Sequence, residues 1–202
     1  MPPKLWHIPD HRRKTSLLVW AVAIVCAILA IAAIITGIVV FAVYMIYQPK
    51  MPYIKVADAH LYQLLYGNSG SLEIEMALSL LAENDNNKAL TSFSDLSFIL
   101  QFHGIDVAEL RAVALEVPKN SSTPLNYHFQ SLPVPMDEEA MEAVSVAVQR
   151  GVVPFYLSGN ARTRWKAGIF LSVRFWTRLS CELRFFWPNG SAVESGCVSR
   201  LH

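Results

Sequence analysis

Residues 71–80 read Ser71-Leu72-Glu73-Ile74-Glu75-Met76-Ala77-Leu78-Ser79-Leu80, with an apolar side chain at every even position and mostly polar ones between. An extended chain sends successive side chains to opposite faces, so this stretch is a strand buried on one face and wet on the other. Comparable runs occur at 53–65, 96–102, 113–117, 152–157, 168–175 and 181–187, bounded by Asn, Asp, Gly, Ser and Pro clusters. Seven or so short strands in the 155 residues from 48 to 202 predict a mainly β fold, an antiparallel β-sandwich. One segment departs from period two. Residues 137–150 place Met141, Val144 and Val148 on one helical face, with Asp137 as N-cap and Gly151 just past the end. The carboxylates of Asp137, Glu138, Glu139 and Glu142 fit the positive end of that helix better than a calcium site, so no metal is expected.

Working toward the N-terminus, residues 17–43 carry no charge for 27 positions and are built mostly from Leu, Ile, Val, Ala and Phe. That is long enough to cross the roughly 30 Å hydrocarbon core as a helix. A cleaved signal peptide would have an apolar stretch of about 7 to 15 residues, shorter than this one. Lys4, Arg12, Arg13 and Lys14 precede the run, whereas only Lys50 and Lys55 follow closely. The positive-inside rule then predicts a cytosolic tail over residues 1–16, a signal anchor over 17–47 and an extracytosolic domain over 48–202. Trp20, Tyr44 and Tyr47 suit the two interfaces.

Of the three cysteines, Cys26 lies inside the apolar run and reads as packing. Cys181, Leu183, Phe185 and Trp187 share a strand face, and a three-residue turn of Pro188, Asn189 and Gly190 brings Cys197 opposite Cys181. A disulfide between them is expected, with two buried free thiols as the alternative. Asn120 and Asn189 both begin Asn-x-Ser tripeptides in expected loops and are candidate glycosylation sites if the domain is extracytosolic.

The short basic tail and single anchor are followed by an exit strand, Pro52-Tyr53-Ile54-Lys55-Val56-Ala57-Asp58-Ala59. A later run reads Arg162-Thr163-Arg164-Trp165-Lys166-Ala167-Gly168, with Cys181 beyond it. Together they resemble the plant group-two late embryogenesis abundant family, in its membrane-anchored harpin-induced-like and non-race-specific disease resistance-like branch. That family usually has Asn-Pro-Asn where this chain has Asn84-Asp85-Asn86, and residues 95–126 match it poorly, so the resemblance does not fix the loop structure there. The resemblance implies a fibronectin-like sandwich with one helix, shown at the plasma membrane or plasmodesmata. It further implies a role in defence, stress response or wall adhesion, and it brings no catalytic residues.

The chain holds no G-x-S-x-G elbow, Gly-rich phosphate loop or H-E-x-x-H, so neither an enzyme nor a cofactor is expected. A formal charge of +1 disfavours a generic nucleic-acid binder. Charge is unevenly placed, however. Residues 48–159 hold 6 basic and 13 acidic side chains, and residues 160–202 hold 7 and 2. Arg162, Arg164 and Lys166 alternate and so project from one strand face, with Arg174, Arg178 and Arg184 expected nearby. They suggest an anion-binding face for acidic wall polysaccharide, lipid headgroups or an acidic surface protein, against the alternative of an ordinary solvated face. The adjacent aromatics Phe175 and Trp176, and Phe186 and Trp187, must divide between two faces. Packing in the core or under the helix is expected for them, with a lipid groove as the alternative. The function expected is non-catalytic recognition or adhesion at the cell surface, with lipid binding at a membrane contact as the second reading.

Overall fold

The computed structural model describes residues 17–47, 50–67, 70–167 and 171–201; the basic tail and the first residues of the expected 168–175 strand lie outside them. Two units are distinguished, Met1–Gln48 and Pro49–His202. In the first, α1 (Leu17–Tyr47) is apolar on every side, and its segment Val19–Tyr44 is long and apolar enough to cross a membrane. Its Thr36 hydroxyl donates to the Ala32 carbonyl at 2.8 Å, so this polar side chain is satisfied without water.

The second unit is the expected sandwich. Its strands are β1 (Tyr53–Tyr66), β2 (Ser71–Asn84), β3 (Ala89–Phe102), β4 (Ile105–Ala112), β5 (Leu115–Val117), β6 (Ser121–Gln130) and β7 (Val134–Pro135). After α2 (Glu138–Gln149) come β8 (Val152–Ala167), β9 (Leu171–Phe186) and β10 (Ala192–Leu201). One antiparallel sheet has the order β1-β2-β6, with β7 also on β2. The other runs β10-β9-β8-β3-β4, with β5 also on β3. The even residues of β2 are buried, as the alternation requires, and meet Phe93, Phe98, Phe155 and Phe185 of the other sheet in one core. Three rings of that sheet, Phe102, Phe155 and Phe185, step edge to face at centroid separations of 5.5 and 5.9 Å.

The domain holds more and longer strands than the sequence reading predicts. β8 fuses the expected 152–157 strand with the Arg-Thr-Arg-Trp-Lys run, through a Gly159-Asn160 pair that reads as a breaker. Gly159 is there because the buried ring of Phe98 lies against it. A Cβ would come within 2.2 Å of that ring and 2.7 Å of the Ser97 carbonyl oxygen. β9 fuses the 168–175 and 181–187 runs, because the inward Thr177 hydroxyl is matched at 2.7 Å by the Thr163 hydroxyl of β8. Between 95 and 126, where the resemblance is poor, the expected 96–102 and 113–117 runs fall in β3 and β5, and β4 and much of β6 are added to them. β6 alternates Thr123, Leu125, Tyr127 and Phe129 inward, but its outward Ser, Pro and Asn residues make it read as loop. His103 and Gly104, both at positive φ, close the tight β3–β4 hairpin.

Asn84 is wholly buried, and its amide donates to the carbonyls of Ala89, Val117 and Pro118, at 2.9, 3.3 and 3.0 Å. The Asn-Asp-Asn segment thus ties the β2–β3 crossing to the end of β5. α2 begins as predicted, with the Asp137 carboxylate accepting from Ala140 N–H at 2.8 Å, and Gly151 takes φ +72° beyond its end. Its buried stripe is Ala140, Val144 and Ala147, rotated from the expected Met141, Val144 and Val148. Alanines let the helix approach the core closely, which a search for large apolar residues overlooks.

Where β1 starts, Glu83 of β2 accepts from the Tyr53 hydroxyl and pairs with Lys55 at 2.6 Å. Lys55 first, and then Tyr53, hold the Glu83 carboxyl below its ordinary range. The bond to Glu83, with burial, pushes Tyr53 up to about 12. The Glu83 contribution to stability is therefore present above its ordinary value and lost as pH falls through its lowered one. That of Tyr53 is complete below its ordinary value of 10.0 and lost as pH rises toward about 12. Urea midpoints measured across pH should fall at both extremes, and Glu83→Gln should flatten the acid limb. An unchanged acid limb in that variant would remove the assignment.

Candidate functional site: the basic face of the six-stranded sheet

Along β8 and β9 odd residues enter the core, so even ones form the outer face of the six-stranded sheet. All seven cations of residues 160–202 fall on this face: Arg162, Arg164 and Lys166 from β8; Arg174, Arg178 and Arg184 from β9; and Arg200 from β10. The sequence reading overlooks Arg200, although its place on the returning strand is implied by the hairpin.

The predicted trio is only partly available. Arg162 pairs with Asp95 at 3.5 Å and lies over the Trp176 ring, 5.7 Å from its centroid. Arg164 gives its Nε–H to the Ser172 hydroxyl at 3.0 Å, and Lys166 has no carboxylate partner among the described residues. Arg184 is taken up by Glu182 at 2.7 Å. Arg174, Arg178 and Arg200 have no carboxylate partner among the described residues. Two arginine pairs stand directly opposite each other across strands, Arg164 with Arg174 and Arg178 with Arg200. Like charges in that position destabilise a sheet. The face is thus a repulsive array that an anion would relieve.

Trp176 and Phe186 are not buried in the core or under a helix, contrary to expectation. They lie on the outer face, exposed by 44% and 46%, while Phe175 and Phe185 point inward. The helix sends Val144 and Ala147 into the main core.

The structure joins Cys181 and Cys197, which face each other with Cα atoms 4.1 Å apart. The register agrees with the prediction for a different reason. Phe186 and Ser191 flank a four-residue turn, and a bulge at residues 194–195 opposes two residues to Leu183, restoring the alignment. Asn189 is exposed in that turn, and its side-chain oxygen accepts from the Ser191 N–H and hydroxyl at 2.9 and 2.8 Å. Asn120 is exposed at φ +48° in the turn before β6, its backbone N–H donating to the Asn86 carbonyl. Both acceptors are sterically open on this domain.

No family model matches the sequence. No curated protein matches it either. Among solved structures, a protein from Archaeoglobus fulgidus is 11% identical, with 65% of this chain and 97% of that chain covered at a TM-score of 0.29.

A second feature lies at the end of the sandwich where the domain begins. Met51, Pro52, Trp165, Val173 and Phe175, with the stem of Lys50, line an apolar hollow of about 230 Å³. The indole N–H of Trp165 is buried without a hydrogen-bond partner. Among the described residues no three His, Cys, Asp or Glu side chains gather as metal ligands. His103 and His128 instead lie 3.6 and 3.2 Å from Glu139 and Glu75.

Proposed function

We propose that this chain is a single-pass type II membrane protein whose sandwich acts, without catalysis, as a recognition or adhesion module at the cell surface. The observation that carries this reading is the outer sheet face, where Lys166, Arg174, Arg178 and Arg200 lack carboxylate partners among the described residues. An apolar helix long enough to span a bilayer precedes the domain, and the basic residues of the tail orient it. The resemblance to the membrane-anchored late embryogenesis abundant branch extends the proposal to plant defence or stress response, at the plasma membrane or plasmodesmata. In that setting Asn120 and Asn189 carry glycans, and the ligand is wall polysaccharide or a surface protein.

Protease protection of a C-terminally tagged chain in sealed microsomes tests the topology. The domain should be protected and should migrate faster without reductant. Complete digestion would place it in the cytosol and remove the apoplastic reading.

A second reading, lipid binding at a membrane contact or plasmodesma, is favoured by the apolar hollow beside Trp165. A quenching titration of Trp165 fluorescence with a brominated fatty acid, against a Trp165→Phe control, distinguishes the two. Specific quenching supports the lipid reading, and its absence removes it.

A further inference from the structure

Of the two opposed arginine pairs, the one formed by Arg178 and Arg200 has the more selective surroundings. Arg178 lies directly beside Asn160 of β8, and Asn160 beside Ser97 of β3, so one row crosses four strands from Ser97 to Arg200. At the usual strand spacing those three intervals span roughly 14 Å. In the neighbouring row Ser158 and Ser180 stand opposite each other. Two shallow grooves, of about 320 and 300 Å³, meet at Arg178 and follow these rows across the sheet.

The Nε–H of Arg178 is held by the Asn160 side-chain oxygen at 3.3 Å. Its terminal nitrogens have no partner among the described residues, and neither does the guanidinium of Arg200. Two planar donor forks therefore face solvent side by side, that of Arg178 oriented by a neutral acceptor, and both are suited to carboxylates. Around them stand short hydroxyl and amide side chains, with Ile99 and Val198 apolar, and at the far end of the row the Ser97 hydroxyl donates to the Glu109 carboxylate at 3.3 Å.

We propose that this row is a binding groove for a linear acidic glycan, in which Arg178 and Arg200 take ring carboxylates and Ser97, Ser158, Asn160 and Ser180 meet hydroxyls. The inference rests on the basic-face reading and narrows it to a subsite and a ligand class. A single lipid phosphate would engage the arginines and leave the hydroxyl row idle. An extended acidic peptide would add along an unpaired strand edge, whereas this row runs across β8 and β9, which are paired on both sides, and meets the open edge of β10 only at Arg200. A polyhydroxylated chain bearing carboxylates uses both parts of the groove along its length.

The test uses the full chain purified in neutral detergent. It is titrated calorimetrically with a galacturonate decamer, with the methyl ester of that oligomer, and with micelles containing phosphatidylserine. The free acid should bind, and the ester should bind at least about tenfold more weakly. An R178Q/R200Q variant should lose affinity by a similar factor, and S158A/S180A by a few-fold. R178Q/R200Q should melt no lower than the parent, because a repelling pair has gone. If R162Q/R164Q/K166Q abolishes binding while R178Q/R200Q does not, the basic-face reading survives and this groove falls. Equal binding of the ester overturns carboxylate recognition. Binding only to phosphatidylserine overturns the glycan class in favour of lipid. Failure of every anionic probe removes both this inference and the reading beneath it.

Discussion

Gly190→Ala should destabilise the domain by roughly 3–5 kcal/mol, the largest effect expected of any single exchange considered. Gly190 sits at φ +73°, and a Cβ there would lie 1.9 Å from the Leu61 carbonyl oxygen. The same contact is cemented by the Leu61 N–H donating to the Gly190 carbonyl at 2.9 Å, beside a bridge from His60 to Ser191. Here the β9–β10 turn, part of one sheet, docks on β1, part of the other. The clash is with backbone at a seam, so no side-chain rotation relieves it. About 1–2 kcal/mol of the expected loss comes from the left-handed conformation and the rest from displacing β1. Urea denaturation followed by the strand signal in circular dichroism measures it. Gly196→Ala is the control, since its Cβ would meet nothing within 4 Å, and it should change stability by less than about 0.5 kcal/mol. If the two variants were equally stable, the proposed seam contact would be wrong.

Removing the Cys181–Cys197 bond by the double exchange to Ala should lower stability by about 3 kcal/mol. The closed loop has a sequence separation of 16, and cross-linking a loop of that size removes about 3 kcal/mol of conformational entropy from the unfolded chain. Alanine is the right replacement because Cys181 is buried and an orphaned serine hydroxyl would add its own penalty. Thermal melts with and without reductant should show the parent falling to the variant's midpoint and the variant unmoved. A parent indifferent to reductant would mean that the bond does not staple the hairpin. Such a bond persists in an oxidising compartment, so its presence in protein isolated from cells bears on the proposed topology as well.

The basic face was legible in part. Alternation alone placed Arg162, Arg164 and Lys166 on one side of a strand, and β8 keeps them there. Which cations stay unpaired was not legible. Asp95 reaches Arg162 from a separate strand, where a register shift sets it at φ +52°. Arg178 and Arg200 become neighbours only because a bulge corrects the hairpin register. A turn with the predicted loop length and no bulge would have given the same pair, so the right expectation rested on an incomplete reason.

By itself the sequence determined what depends on neighbours along the chain. Uncharged length marked the apolar helix, period two marked β2, and Asp137 with Gly151 marked the ends of α2, because each signal is local. Tertiary structure decided what depends on residues far apart in sequence. Strands continue through Gly159 and Thr177 because Phe98 and Thr163 are brought against them. Asn84 is buried because three carbonyls converge on it. Gly159 and Asn84 look like breakers along the chain because their unusual needs, an absent side chain and a satisfied buried amide, are met only by partners from elsewhere in the chain.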